Sequence, residues 1–182
     1  TVTNNLVANI NNNYSASGSQ ANTLVGISIT TGSSNISGNT IRNLTSNTQT
    51  ISGGGTSAIV GIAYTSTTAP ATISGNTIHT LKLTHPTTLA ATANQAIFYA
   101  GPSSGTNVIE KNNIHSLSIA SPTNSTGYLS GMDAASGLFT IKNNMIRLGI
   151  DENGNSVPSG IMVRGISSNS GTQNIYFNSI YI

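Results

Sequence analysis

Arg42, His79, His115 and Arg147 occupy the same place in a phrase that the chain repeats, Ile-x-x-Asn-x-Ile followed by one more residue. In full the column reads Val7, Arg42, His79, His115, Arg147, Tyr181. Side chains alternate along a strand, so the residue after an inward Ile faces solvent. Four successive members then present a cationic or protonatable nitrogen. Such a stripe suits an acidic polysaccharide, and the plainer alternative is ordinary solvated decoration of a strand. Imidazole is also a common metal ligand, which makes His79 and His115 a candidate chelating pair. The arginines on both sides and the lack of a nearby carboxylate or thiol weigh against a metal. Tyr64 and Tyr99 share another column, either as a platform for sugar rings or as core. The glycine in their strand leaves the facing open.

The loop "DENGNS" places oxygens at Asp151, Asn153 and Asn155, alternate positions that resemble the start of a calcium loop. The later Glu of such a loop is missing, and Asn-Gly forms turns by itself. Calcium is the cation this loop would take, and no other cofactor is implied. The chain has four carboxylates in all: Glu110, Asp133, Asp151 and Glu152. Glycoside hydrolysis needs two of them facing each other about 5 to 10 Å apart. Here two fall on different strands and two are neighbours in a turn. No Ser, His and acid combine into a nucleophilic set either. The expected class is non-enzymatic.

The residues that position these groups are the repeat itself. The phrase places Asn4, Asn39, Asn76, Asn112, Asn144 and Asn178 at separations of 35, 37, 36, 32 and 34 residues. A second phrase keeps step: Gly26-Ile27, Gly61-Ile62, Ala96-Ile97, Gly131-Met132 and Gly165-Ile166. Two markers with one period indicate a solenoid or a propeller. Short β-branched runs separated by Ser, Thr, Asn and Gly exclude helical repeats. About three strands per unit are too few for a propeller blade. The expected fold is all-β, a parallel β-solenoid of five to six coils with three strands each, forming a single segment over 1–182. Equivalent Asn residues stack about 4.8 Å apart in such a coil. Each amide can then donate to one neighbour and accept from the other, as an Asn ladder. Leu6, Ile41, Ile78, Ile114, Ile146 and Ile180 form one inward column, and Ile36, Ile73, Ile109, Ile141 and Ile175 another. Glu110 and Lys142 fall one above the other and are expected to pair.

Composition narrows the function. Only 5% of the 182 residues are charged and the net charge is +2, too little for a nucleic-acid footprint. There is no cysteine, and no apolar run approaches the roughly 20 residues that span a bilayer. Both ends lie inside patterned segments, as in a mature fragment of a longer repeat protein. Exposed strand edges there call for further coils, or for stacking on an identical chain.

The Asn ladder and inward Ile stacks resemble the right-handed parallel β-helix of the pectate-lyase-like superfamily. "NNMIRLGIDENGNSVPSGIMVRGISS" and "QNIYFNSIYI" are similar to repeat regions of large secreted surface proteins of Bacteroidetes-type bacteria, exported by the type IX route and described as adhesins. The resemblance implies an extracellular or cell-surface location and a structural or adhesive segment, a stiff spacer with glycan contact. The alternative it implies is a polysaccharide-binding or polysaccharide-degrading β-helix domain. Partners would be neighbouring coils and a polysaccharide or cell-surface glycan.

Overall fold

The structure, a computed structural model, describes residues 1–13, 17–18, 24–50, 57–85, 92–120, 127–158 and 160–182. Within them the chain winds as a β-solenoid of three parallel sheets. The first sheet stacks Val2–Thr3, Ser34–Ser37, Ala71–Ser74, Asn107–Glu110, Leu138–Lys142 and Thr172–Tyr176. The second stacks Leu6–Asn12, Thr40–Ser46, Thr77–Leu83, Asn113–Ile119, Met145–Arg147 and Ser179–Tyr181. The third stacks Leu24–Ile29, Ile59–Tyr64, Ala93–Ala100, Tyr128–Ser136 and Met162–Ser168. Ser17–Gly18 and Gln49–Thr50 form a small separate pair. Among the described residues no helix is present to cross a membrane.

In the first two sheets four strands have neighbours on both sides. About four turns therefore make up the closed body, slightly fewer than the five to six coils the repeat suggests.

Two columns of left-handed backbone shape each coil. Asn4, Gly38, Gly75, Lys111, Asn143 and Phe177 all have φ between +54° and +66°. They turn the chain from the first sheet into the second. Only the residue after this turn can reach the ladder, so the first coil departs from expectation. Asn4 makes the turn, and Asn5 joins the ladder. The slip carries through the strand: Val7 pairs with Ile41, and Ala8 pairs with Arg42. Leu6, expected inside, takes the place of Thr40 and is exposed. Val7, expected outside, packs against the core.

The second column, Asn9, Asn43, Thr80 and Ser116, lies in the middle of the second-sheet strands with φ of +54° to +60°. A left-handed residue interrupts the alternation of a strand. This is why Ile41 and Leu44, three apart, both point inward at 0% exposure, as do Ile78 and Leu81.

The glycine phrase has a steric cause. A Cβ on Gly61 would sit 2.6 Å from the Ala96 carbonyl oxygen and 2.8 Å from Ile78 Cγ2. Gly26, Gly131 and Gly165 meet the equivalent second-sheet isoleucine in the same way. The missing side chain lets the third sheet close onto the Ile column. Gly61→Val is expected to lower stability by about 1 to 3 kcal/mol through overpacking. Urea unfolding measures it, and an unchanged midpoint would mean that the sheets can part without cost. Ala96 shows that the column admits a methyl at one coil, so Gly61→Ala should cost less than Gly61→Val.

Candidate functional site

The ladder is continuous from Asn5 to Asn178. Asn39 donates from its backbone N (3.0 Å) and Nδ2 (2.9 Å) to Asn76 Oδ1. Asn76 does the same to Asn112 Oδ1, and Asn112 to Asn144 Oδ1. Asn144 donates to Asn178 Oδ1 at 3.1 and 2.9 Å. Each remaining Nδ2 hydrogen reaches a first-sheet carbonyl one coil back, such as Ile73 O for Asn112 at 3.0 Å. Asn39, Asn76, Asn112 and Asn144 are all buried. Every donor and acceptor of their amides thus has a partner in a dry environment, where an orphan would be costly.

The stripe is assembled as a column by the register of the second sheet. His79 lies between Arg42 and His115, and His115 between His79 and Arg147. The imidazoles stack with centroids 4.8 Å apart and planes 8° from parallel. Each ring is tethered by the hydroxyl of the left-handed residue that follows: His79 Nδ1 to Thr80 Oγ1 at 2.9 Å, His115 Nδ1 to Ser116 Oγ at 3.0 Å. With Nδ1 tethered, Nε2 is the ring nitrogen left for a ligand. Burial lowers both imidazole pKa values below the ordinary histidine range. Arg42 lowers that of His79 further, and His79 and Arg147 lower that of His115. Both rings are therefore neutral at neutral pH, and Arg42 and Arg147 carry the stripe's charge. A shallow depression beside it is lined by Asn113, His115, Met145 and Arg147, with Met145 exposed.

Tyr64 and Tyr99 do not belong to this surface. They are 0% and 1% exposed and stack inside the coil at 5.4 Å, with Tyr99 edge-on to Phe139 at 5.3 Å. The expected sugar platform is core. The cause is the bend at the glycine column, after which Ile62 and Tyr64 both face inward and Ala63 outward. Burial pushes both phenol pKa values up.

In the loop, Asp151 Oδ1 accepts from the backbone N of Asn153 (2.9 Å) and of Asn155 (2.8 Å), and Oδ2 accepts from Asn155 Nδ2 (3.1 Å). These bonds, those of Asn155 foremost, hold the Asp151 carboxyl below its usual range. The arrangement is that of an aspartate-capped turn, with the Asn155 amide nitrogen directed at the carboxylate. Among the described residues no group of three His, Cys, Asp or Glu could hold a metal ion.

The other carboxylates are also engaged. Glu110 pairs with Lys142 at 3.5 Å, as expected from the column. Glu152 pairs with Lys82, tying the loop to the second sheet. Asp133 is 5% exposed on the outer face of the third sheet, and Gln95 Nε2 donates to its Oδ2 at 2.9 Å and to Tyr128 Oη at 3.1 Å. Burial raises the Asp133 pKa against the opposing pull of Gln95 and Arg164. The Arg164 guanidinium lies 4.4 Å from the Tyr128 ring centroid, and Val60, Ala63 and Phe98 form an apolar cluster on the same face. No repeated phrase in the sequence announces this network. Its partners lie 33 to 38 residues apart in columns with no shared residue type. The one available signal was the coincidence of Gln95 and Asp133 at outward third-strand positions.

No protein-family model, no curated protein and no solved structure matches the chain.

Proposed function

We propose that this chain is a non-catalytic structural segment, a stiff spacer within an extracellular or cell-surface repeat protein. The observation that carries this reading is the unbroken ladder, which bonds each coil to the next through buried amides. Such a stack is held along its length by nearest-neighbour contacts, so it can be extended without redesign. The four carboxylates agree with a structural role, since each is committed to a local partner.

Peptide mapping of the native polypeptide tests the reading. The expected product is much larger than the 18.6 kDa of this segment. A native product of that size, or the release of new reducing ends from a polysaccharide by the purified chain, would overturn it.

A further inference from the structure

We propose that Arg42, His79, His115 and Arg147 form a binding ladder for a linear acidic polysaccharide lying along the solenoid axis, and that protonation of the two stacked imidazoles strengthens its grip. The inference stands apart from the spacer reading, which needs only the coils.

The geometry is that of four nitrogen-bearing side chains on four successive strands of one parallel sheet. Successive positions are about 4.8 Å apart, so the two guanidiniums are separated by three strand spacings. One saccharide residue of an extended chain advances by a similar distance. Acidic groups carried on such a chain can therefore meet successive members of the column. Arginine at each end offers a fork of donors to a carboxylate or sulfate ester. Between them, the imidazoles are tethered through Nδ1, which leaves Nε2 as the ring nitrogen for a ligand. Met145 provides an exposed apolar surface beside His115 and Arg147, against which the carbon face of a sugar can rest.

The charges around the stripe favour an anion. Besides Arg42 and Arg147, Lys82 lies on the same strand as His79, and its charge is matched by Glu152. Lys111 precedes the strand that carries His115, and His85 follows the strand that carries His79. Tyr181 occupies the column beyond Arg147. Glu110, the carboxylate nearest to Lys111 in sequence, belongs to the first sheet and is bound to Lys142. Nucleic acid is the poorer fit, because the column contains two permanent cations, and the imidazoles between them stack on each other rather than leaving a face open to a base.

Near pH 7 the two central members act as neutral donors or acceptors. Below the ordinary histidine range they add positive charge between the arginines. The first proton disfavours the second through the stacked contact. A bound polyanion offsets that repulsion, and binding is therefore linked to proton uptake.

The test is retention of the purified chain on alginate, which carries carboxylates, and on dextran sulfate, at about pH 5 and about pH 7.5. Retention on at least one acidic polymer, about tenfold tighter at the lower pH and weakened by salt, is the expected result. The double variant H79Q/H115Q should keep the weak binding and lose its pH dependence. The double variant R42S/R147S should lose binding at both pH values, with its melting temperature unchanged. Retention on one polymer alone identifies carboxylate or sulfate as the preferred group. Absence of retention on both, equal retention on neutral dextran, tighter binding to oligothymidylate, or pH dependence that survives in H79Q/H115Q would each overturn the proposal.

Discussion

Asn112→Asp is expected to destabilise the protein by about 3 to 5 kcal/mol at neutral pH, and far less in acid. The substitution retains the oxygen that accepts from Asn76, so that half of the ladder survives. It replaces Nδ2, which donates to Ile73 O and Asn144 Oδ1, with a second oxygen. An ionised carboxylate there is buried, faces two acceptors, and has no cation in its column. Protonation restores one donor. The folded-state pKa of the new group is therefore raised above its unfolded value of about 3.9. Below the unfolded pKa the penalty is at its smallest. It grows as pH rises from there to the folded-state pKa, and is constant above it. Asn112→Ala should lose a comparable amount with no pH dependence of its own. Urea unfolding of both variants and of the parent across acid and neutral pH measures the difference, which removes the titration of Asp133. A penalty for Asn112→Asp that is the same at both pH values would show that the amide does not occupy the stacked position.

This ladder was readable in the sequence because it demands one residue type at one place in every coil, and so writes a period into the chain. The glycine phrase was readable for the same reason, although its purpose, room for the facing isoleucine, becomes apparent only from the distance between sheets. The first coil sits one residue away from the register the repeat suggests, because "TNNL" offers two asparagines in succession. Asparagine suits both the left-handed turn and the ladder, and only the hydrogen bonds decide between them. Tyr64 and Tyr99 stay ambiguous in the sequence because one bend reverses the facing of everything after it, and the glycine that marks the bend does not say which way the following residues turn. The stripe was legible as a column, whereas the tethering of each imidazole was not. That depends on a left-handed residue next in sequence, and Thr80 and Ser116 are not residues that announce such backbone. The Gln95–Asp133–Tyr128 network was hidden because it occurs once and is not repeated.

If the solenoid is held together by nearest neighbours, the same substitution in one column should cost different amounts along the axis. Ile114 and Ile180 occupy equivalent inward places in the second sheet, at 0% and 46% exposure. Ile114 has Ile78 on one side and Ile146 on the other, whereas Ile180 stacks on Ile146 alone. Ile114→Ala is expected to cost about 2 to 5 kcal/mol, because the coils above and below restrain collapse of the cavity. Ile180→Ala leaves its space open to solvent rather than enclosed and should cost about 1 kcal/mol or less. Hydrogen exchange should follow the same order, with the amides of Asn113–Ile119 protected longest and those of Ser179–Tyr181 first to exchange. Equal costs for the two variants would mean that the final coil is as firmly held as the central ones, which a stack of one-dimensional contacts does not allow. Unequal costs in the expected order would show that, in the isolated 182-residue segment, an inward Ile with a coil on both sides contributes more than one with a coil on one side only.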